Sequence, residues 1–163
     1  VSCARNECVR KFLQTDCTKL LFIDADIGFS AENIWRLLRK DAEFVLAPYV
    51  TKSLNNLEDS KFVMSFGDED QKVDEDGFVT EVVEKKQVSD YATAGYYYWS
   101  KGSDFVKYAE QMIEENSRTN GEFYVAPVYD WAVRDGKKYV VGMVDKCHSL
   151  GTPEHLEEYL EKI

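Results

Sequence analysis

An α/β fold, with strands and helices alternating about one sheet, is predicted by three features of the sequence. Thr18 to Ile23 is a short apolar run of the kind that fills a strand covered on both faces. A helical period follows it, and a second strand-like run, Glu43 to Val50, follows that; strand, helix, strand is the unit of a parallel sheet. Further strand-like and helical patterns follow to the C-terminus.

In chain order, Ala4, Cys8, Val9, Phe12 and Leu13 stand at helical spacing with Arg5, Arg10 and Lys11 between them, so residues 2 to about 14 form an amphipathic helix. After the first strand, Ser30 precedes Ile34, Trp35, Leu37 and Leu38 as the N-cap of a helix ending near Lys40. Pro48, near the end of the second strand, places that strand at a sheet edge. Residues 51 to 60 and 67 to 77 are polar and acidic, and they flank a short strand at Phe62 to Phe66. Asp74-Glu75-Asp76-Gly77 is a turn, and Phe78 to Lys85 is the strand that returns from it. Tyr91 to Trp99 is an aromatic-rich strand.

Phe105, Val106, Ala109, Met112 and Ile113 repeat with a helical period that ends near Asn116. A further helix surrounds Val128 to Val133 and stops before Gly136, and Lys138 to Val144 reads as a strand. The last helix opens on Thr152-Pro153-Glu154, with Thr as cap, Pro at the first helical position and an acid at the positive end of the dipole.

The 163 residues fit a single domain, 1–163, large enough to bury a core. With 44% hydrophobic and 13% aromatic residues, an ordered globule is expected. Lys and Arg number 20 against 30 Asp and Glu, a net charge of -10 that disfavours a nucleic-acid surface but leaves room for a local basic pocket for phosphate. No apolar run reaches membrane-spanning length and the N-terminus lacks the apolar core of a signal peptide, so a soluble cytoplasmic protein without a membrane span is expected. Cys3, Cys8, Cys17 and Cys147 match no common zinc spacing and are expected as free thiols. The chain opens on Val1 in what reads as the middle of a helix, so the domain is expected to be N-terminally incomplete. A homo-oligomer is compatible with this reading.

Asp24-Ala25-Asp26, at the end of the run Leu20-Leu21-Phe22-Ile23, is the strongest chemical signal. Two carboxylates at the C-terminal tip of a buried strand put hard oxygen ligands at the sheet edge, where a divalent cation and a phosphate can meet. If the strand continues through both, they share a face and reach one Mg²⁺ or Mn²⁺. The competing reading is that two acids merely cap the strand. Glu84-Lys85-Lys86 closes the strand that follows the acidic turn: lysine suits a phosphate and glutamate accepts hydrogen bonds from sugar hydroxyls, while solvated strand-end charges are the alternative. Gly95, among the large residues of Tyr91 to Tyr98, marks a close backbone approach to something bulky, or a packing need.

Together, Val82-Val83-Glu84-Lys85, Ser89 through Tyr98, Gly121-Glu122-Phe123-Tyr124 and Leu150-Gly151-Thr152-Pro153-Glu154-His155-Leu156 resemble the second half of the sugar-1-phosphate nucleotidyltransferases, or nucleotide-sugar pyrophosphorylases, over about residues 19 to 163. Residues 1 to 50, through Ala4-Arg5-Asn6-Glu7, Leu21 to Ile27 and Leu37-Leu38, are similar to glycosyltransferases of the GT-A fold. Both resemblances imply a Rossmann-like, three-layer α/β/α mixed sheet of the nucleotide-diphospho-sugar transferase kind. The first implies that Asp24 or Asp26 holds the catalytic Mg²⁺ or Mn²⁺, that Glu84 contacts the sugar and Lys85 its phosphate, that Gly95 lines the sugar pocket and that Glu122 belongs to the substrate-binding set.

The pyrophosphorylases open with a glycine-rich loop that cradles the nucleotide triphosphate, and this sequence has no counterpart. Many place a second metal-binding aspartate where Ser149 stands here, and Asp145 is the substitute. The reaction implied first joins a nucleoside triphosphate and a sugar-1-phosphate into a nucleotide sugar. The GT-A resemblance implies sugar transfer from a nucleotide-sugar donor through Asp24-Ala25-Asp26. A non-catalytic domain that binds a nucleotide sugar or a protein partner is the third reading.

Overall fold

The computed structural model describes residues 2–39, 44–50, 69–84, 91–142 and 148–161. Its elements run α1 (Ser2–Phe12), β1 (Leu20–Ile23), β2 (Ile27–Gly28), α2 (Ala31–Leu38), β3 (Phe44–Val50), β4 (Glu69–Val73), β5 (Val79–Glu84), β6 (Tyr91–Trp99), α3 (Gly102–Glu114), α4 (Ala126–Arg134), β7 (Val140–Val141), β8 (His148–Ser149) and α5 (Pro153–Leu160).

Strand β6 is the axis of the main sheet. Its C-terminal half pairs antiparallel with β1, from Ile23↔Tyr96 to Leu20↔Trp99, and its N-terminal half meets β4 on the same edge at Asp70↔Ala92. Strand β3 runs antiparallel along the other edge, and β7 adds in parallel to β3. The sheet is therefore mixed, in the order β5-β4-β6-β3-β7. The parallel pairing expected of β1-α2-β3 is corrected: β1 and β3 are co-directional, but the antiparallel β6 lies between them. The sequence signal was right about the crossover and silent about a strand inserted from forty residues downstream.

Alternation along β1 and β6 sends apolar side chains to both faces. Leu20, Phe22, Tyr97 and Trp99 join one cluster with Phe105, Tyr108 and Met112 of α3, Val128, Tyr129 and Ala132 of α4, and Val9 and Phe12 of α1 packed against it. Tyr96 and Tyr98 face the other way and pack with Ile27, Leu37, Ile34 and Leu38, so α2 covers the opposite face. Trp99 is the hub of the first cluster, its ring centroid 4.4 Å from Tyr129, 5.4 Å from Phe105 and 6.1 Å from Tyr139. Helix α4 is tied back to α3 at its C-terminal end, where Asp135 accepts from Lys107 Nζ at 2.8 Å and from the Tyr108 hydroxyl at 2.7 Å. Those donors, the ammonium first, hold the Asp135 carboxyl below the usual carboxylate range.

Local chemistry accounts for the ends of these elements. Ser30 Oγ accepts the Asn33 N–H and Thr152 Oγ1 accepts the His155 N–H, so both expected N-caps are present. The turn after β4 is closed by Asp74 Oδ1, which accepts the N–H groups of Asp76 and Phe78 at 3.0 and 2.8 Å, and Gly77 takes φ +83°. The strand entering that turn is β4, Glu69–Val73, within a stretch read from sequence as polar and acidic. Its residues have little intrinsic strand preference, and pairing on both sides overrides it. The strand expected at Phe62 to Phe66 lies outside the described residues. Pro48 does not make β3 an edge strand throughout: β7 pairs with Val45 and Leu46 only, and Pro48 falls beyond that pairing. The small antiparallel pair β2–β8 was not expected from sequence.

Candidate functional site

Strand β1 ends at Ile23, and the Asp24 N–H adds one more ladder bond by donating to Gly95 O at 2.9 Å. The chain then turns, with the Ile27 N–H returning to Asp24 O at 3.3 Å. Asp26 thus lies on a turn and is exposed, so the two carboxylates do not sit at i and i+2 of a continuing strand. This corrects the shared-face geometry, and the cause is Ile27, which must turn inward to fill the cluster under α2. The turn is clamped from the C-terminal part of the chain: the Leu150 N–H donates to Asp26 O at 2.6 Å, and β2 pairs with β8 at Ile27↔Ser149 and Gly28↔His148. The Tyr96 hydroxyl adds a bond of 3.2 Å to Gly28 O.

Opposite this turn, β6 bulges. Tyr97 pairs with Leu46 and Thr93 with Pro48, so residues 94 to 96 stand opposite Ala47 alone. Gly95, at the centre of the bulge, has φ +71°. A Cβ there would lie 3.0 Å from Asp24 Oδ2 and 3.1 Å from both Asp24 Cβ and Ile27 Cγ1. The close approach expected at Gly95 is made to the Asp24 side chain.

The Asp24 carboxylate is partly exposed and forms an ion pair through Oδ1 with Arg5 of α1, whose guanidinium also lies 5.8 Å from the Tyr97 ring centroid. From sequence Arg5 belongs to the charged side of the first helix and to the stretch Ala4-Arg5-Asn6-Glu7, without a role at the site.

Glu84 ends β5 and is the one buried charged side chain among the described residues, 7% exposed. By alternation it shares a face with Val82, the face that also holds Tyr97 and Arg5's helix. Val83, Asp70 and Ala92 form one row across three strands, so Glu84 and Gly95 both lie beyond that row in the direction of the Asp24 turn. Two strand spacings of about 4.8 Å separate β5 from β6 laterally. A buried carboxylate at a strand end is costly to desolvate, which makes Glu84 a candidate for function.

Glu122 sits exposed on the turn that follows α3, where the Tyr124 hydroxyl donates to its Oε2 at 3.0 Å. Tyr124 borders a cavity of about 380 Å³ between α1 and α3 whose wall includes Arg5, Val9, Phe105 and Val128. Lys85 and Asp145 lie outside the described residues.

Hard carboxylate oxygens on a partly exposed turn are the donors that Mg²⁺ and Mn²⁺ take, so Asp24 and Asp26 fit such an ion by ligand chemistry. Among the described residues no group of three or more His, Cys, Asp or Glu side chains converges on one point. No helix among them is long and apolar enough to cross a membrane.

This architecture has a counterpart among solved structures. The chain is similar in fold to the crystal structure of a nucleoside-diphosphate-sugar pyrophosphorylase from Vibrio cholerae RC9, with a TM-score of 0.68 at 14% sequence identity, covering 93% of this chain and 59% of that one. The protein thus shares a mixed α/β fold with that structure and spans less than two thirds of its length. No family model matches the sequence, and no curated protein matches it.

Proposed function

We propose that this chain is a sugar nucleotidyltransferase-like domain with a three-layer, Rossmann-like sheet, acting in the cytoplasm on a nucleoside triphosphate and a sugar-1-phosphate. The observation that carries the reading is the meeting, at one end of the sheet, of the Asp24–Gly28 turn, the Gly95 bulge and residues 148 to 150. Gly95 and Leu150 belong to segments on which the resemblance to the pyrophosphorylases rests, the Asp24 turn carries the two carboxylates read as metal ligands, and the fold likeness to a pyrophosphorylase supports the reading.

Asp24 and Asp26 are the residues to hold Mg²⁺ or Mn²⁺, with Asp145 as a further ligand. When bound, the ion would neutralise phosphate charge and align the reacting groups. Glu84 and Gly95 face the sugar, Lys85 takes its phosphate as a point charge, and Glu122 completes the substrate-binding set. A sugar-1-phosphate oxygen attacks the α-phosphorus in line, that P–O bond forms as the bond to pyrophosphate breaks, and no covalent enzyme intermediate is needed.

A second reading is favoured by the Arg5–Asp24 pair, which joins two of the three stretches similar to GT-A glycosyltransferases. Incubation with nucleoside triphosphate, sugar-1-phosphate and Mg²⁺ or Mn²⁺ separates the two. Pyrophosphate release without any acceptor is the expected result. Turnover of a nucleotide-sugar donor only when an acceptor is added would replace this reading with glycosyl transfer, and binding without turnover in either assay would leave a non-catalytic domain.

A further inference from the structure

The geometry points to Arg5 as an internal rival of the metal: its guanidinium holds the Asp24 carboxylate in the metal-free protein, and a divalent cation gains that carboxylate most readily when a diphosphate draws the guanidinium away. The inference rests on the reading of Asp24 as a metal ligand.

Arg5 finds its carboxylate partner outside α1. Arg10 and Lys11, by contrast, occupy the last turn, where the dipole favours them, and Arg10 is satisfied within the helix by two hydrogen bonds to Glu7 of 2.7 and 2.6 Å. Arg5 reaches out of its helix to a residue at the tip of β1. Both members of the pair are largely shielded, with side chains 23% and 28% exposed.

The surroundings fix which oxygen is contested. Asp24 Oδ2 is turned toward Gly95, whose missing Cβ would fall 3.0 Å away, and Oδ1 is held by Arg5. A bare dication approaching Asp24 meets a guanidinium at the same carboxylate, and the two positive charges repel. The Tyr97 ring lies 5.8 Å from the guanidinium and favours keeping that cation near the site after it leaves Asp24. A diphosphate accepts a guanidinium fork bidentately, so it offers Arg5 a better partner than one carboxylate oxygen. Metal and diphosphate therefore bind with positive coupling, and linkage makes the coupling reciprocal. Arg5 acts as a positioning residue that discriminates against bare metal.

Calorimetric titration of Mn²⁺ into nucleotide-free protein tests this. Arg5→Gln is expected to bind Mn²⁺ about two- to fivefold more tightly than the wild type, the range by which such an ion pair competes. Arg5→Met, which keeps an apolar stem over Tyr97, gives the same gain, and Arg5→Lys, which keeps the charge, stays near the wild type. Addition of a nucleoside diphosphate tightens Mn²⁺ binding more in the wild type than in Arg5→Gln. A merely structural arginine would not raise metal affinity on removal. If Asp24→Asn loses Mn²⁺ but neither Arg5→Gln nor Arg5→Met gains any, the rivalry is overturned while the metal reading stands. If Asp24→Asn binds Mn²⁺ as the wild type does, the metal reading fails and takes this inference with it.

Discussion

Trp99→Ala is expected to lower stability by about 3–5 kcal/mol, the cost of emptying a fully buried aromatic site. Trp99 has no exposed surface, and the rings of Phe105, Tyr108, Tyr129 and Tyr139 all pack around it. These neighbours come from α3, α4 and the segment entering β7, so they cannot close together without moving two helices off the sheet. Against a total stability of about 5–15 kcal/mol for an ordinary domain, the loss takes a third or more of what is available. Urea unfolding measures it as a fall in midpoint with an unchanged slope. A loss below about 1 kcal/mol, the usual surface range, would mean that the aromatic cluster is not the core of this fold.

Gly95→Ala is the second large effect, and it joins stability to the site. An alanine there must adopt a positive φ and also set a methyl against Asp24 and Ile27. The first cost alone is about 1 kcal/mol, and relief of the contact with the β1 tip brings the expected total to about 2–3 kcal/mol. Gly77 supplies the control: its φ is +83°, but an added Cβ there meets nothing within 4 Å. Gly77→Ala should show only the conformational part. The melting temperature of Gly95→Ala should therefore fall further than that of Gly77→Ala, and Mn²⁺ binding should weaken in Gly95→Ala alone. Equal falls in the two variants would show that the Gly95 bulge does not support Asp24.

The elements with strong local signals were legible in the sequence. Strand β6 was expected at the residues it occupies because its aromatics favour a pleated surface, and α5 because Thr152 and Pro153 supply cap and first-turn chemistry. What local signals do not carry is partnership. Nothing in Leu20 to Ile23 says that its neighbour is an antiparallel strand near residue 98, and nothing in Glu69 to Val73 marks it as a strand until β5 and β6 flank it. The same limit applies to the site. Asp24 and Gly95 were each singled out, but their contact with one another depends on the β1–β6 register and the bulge opposite Ala47. From sequence Arg5 is one of the charged residues of an amphipathic helix, and it gains a place at the site only once the Asp24 carboxylate is found beside it.

In the proposed function the Asp24 turn is the metal and diphosphate end of a nucleotide-sugar site. Its most direct test is calorimetric titration of a nucleotide sugar in the presence of Mn²⁺ into the wild type and into an Asp24→Asn/Asp26→Asn variant. Loss of both carboxylates should weaken binding by at least about tenfold, the least that removal of a metal's direct ligands is expected to cost. Equal binding by the two proteins would contradict the assignment.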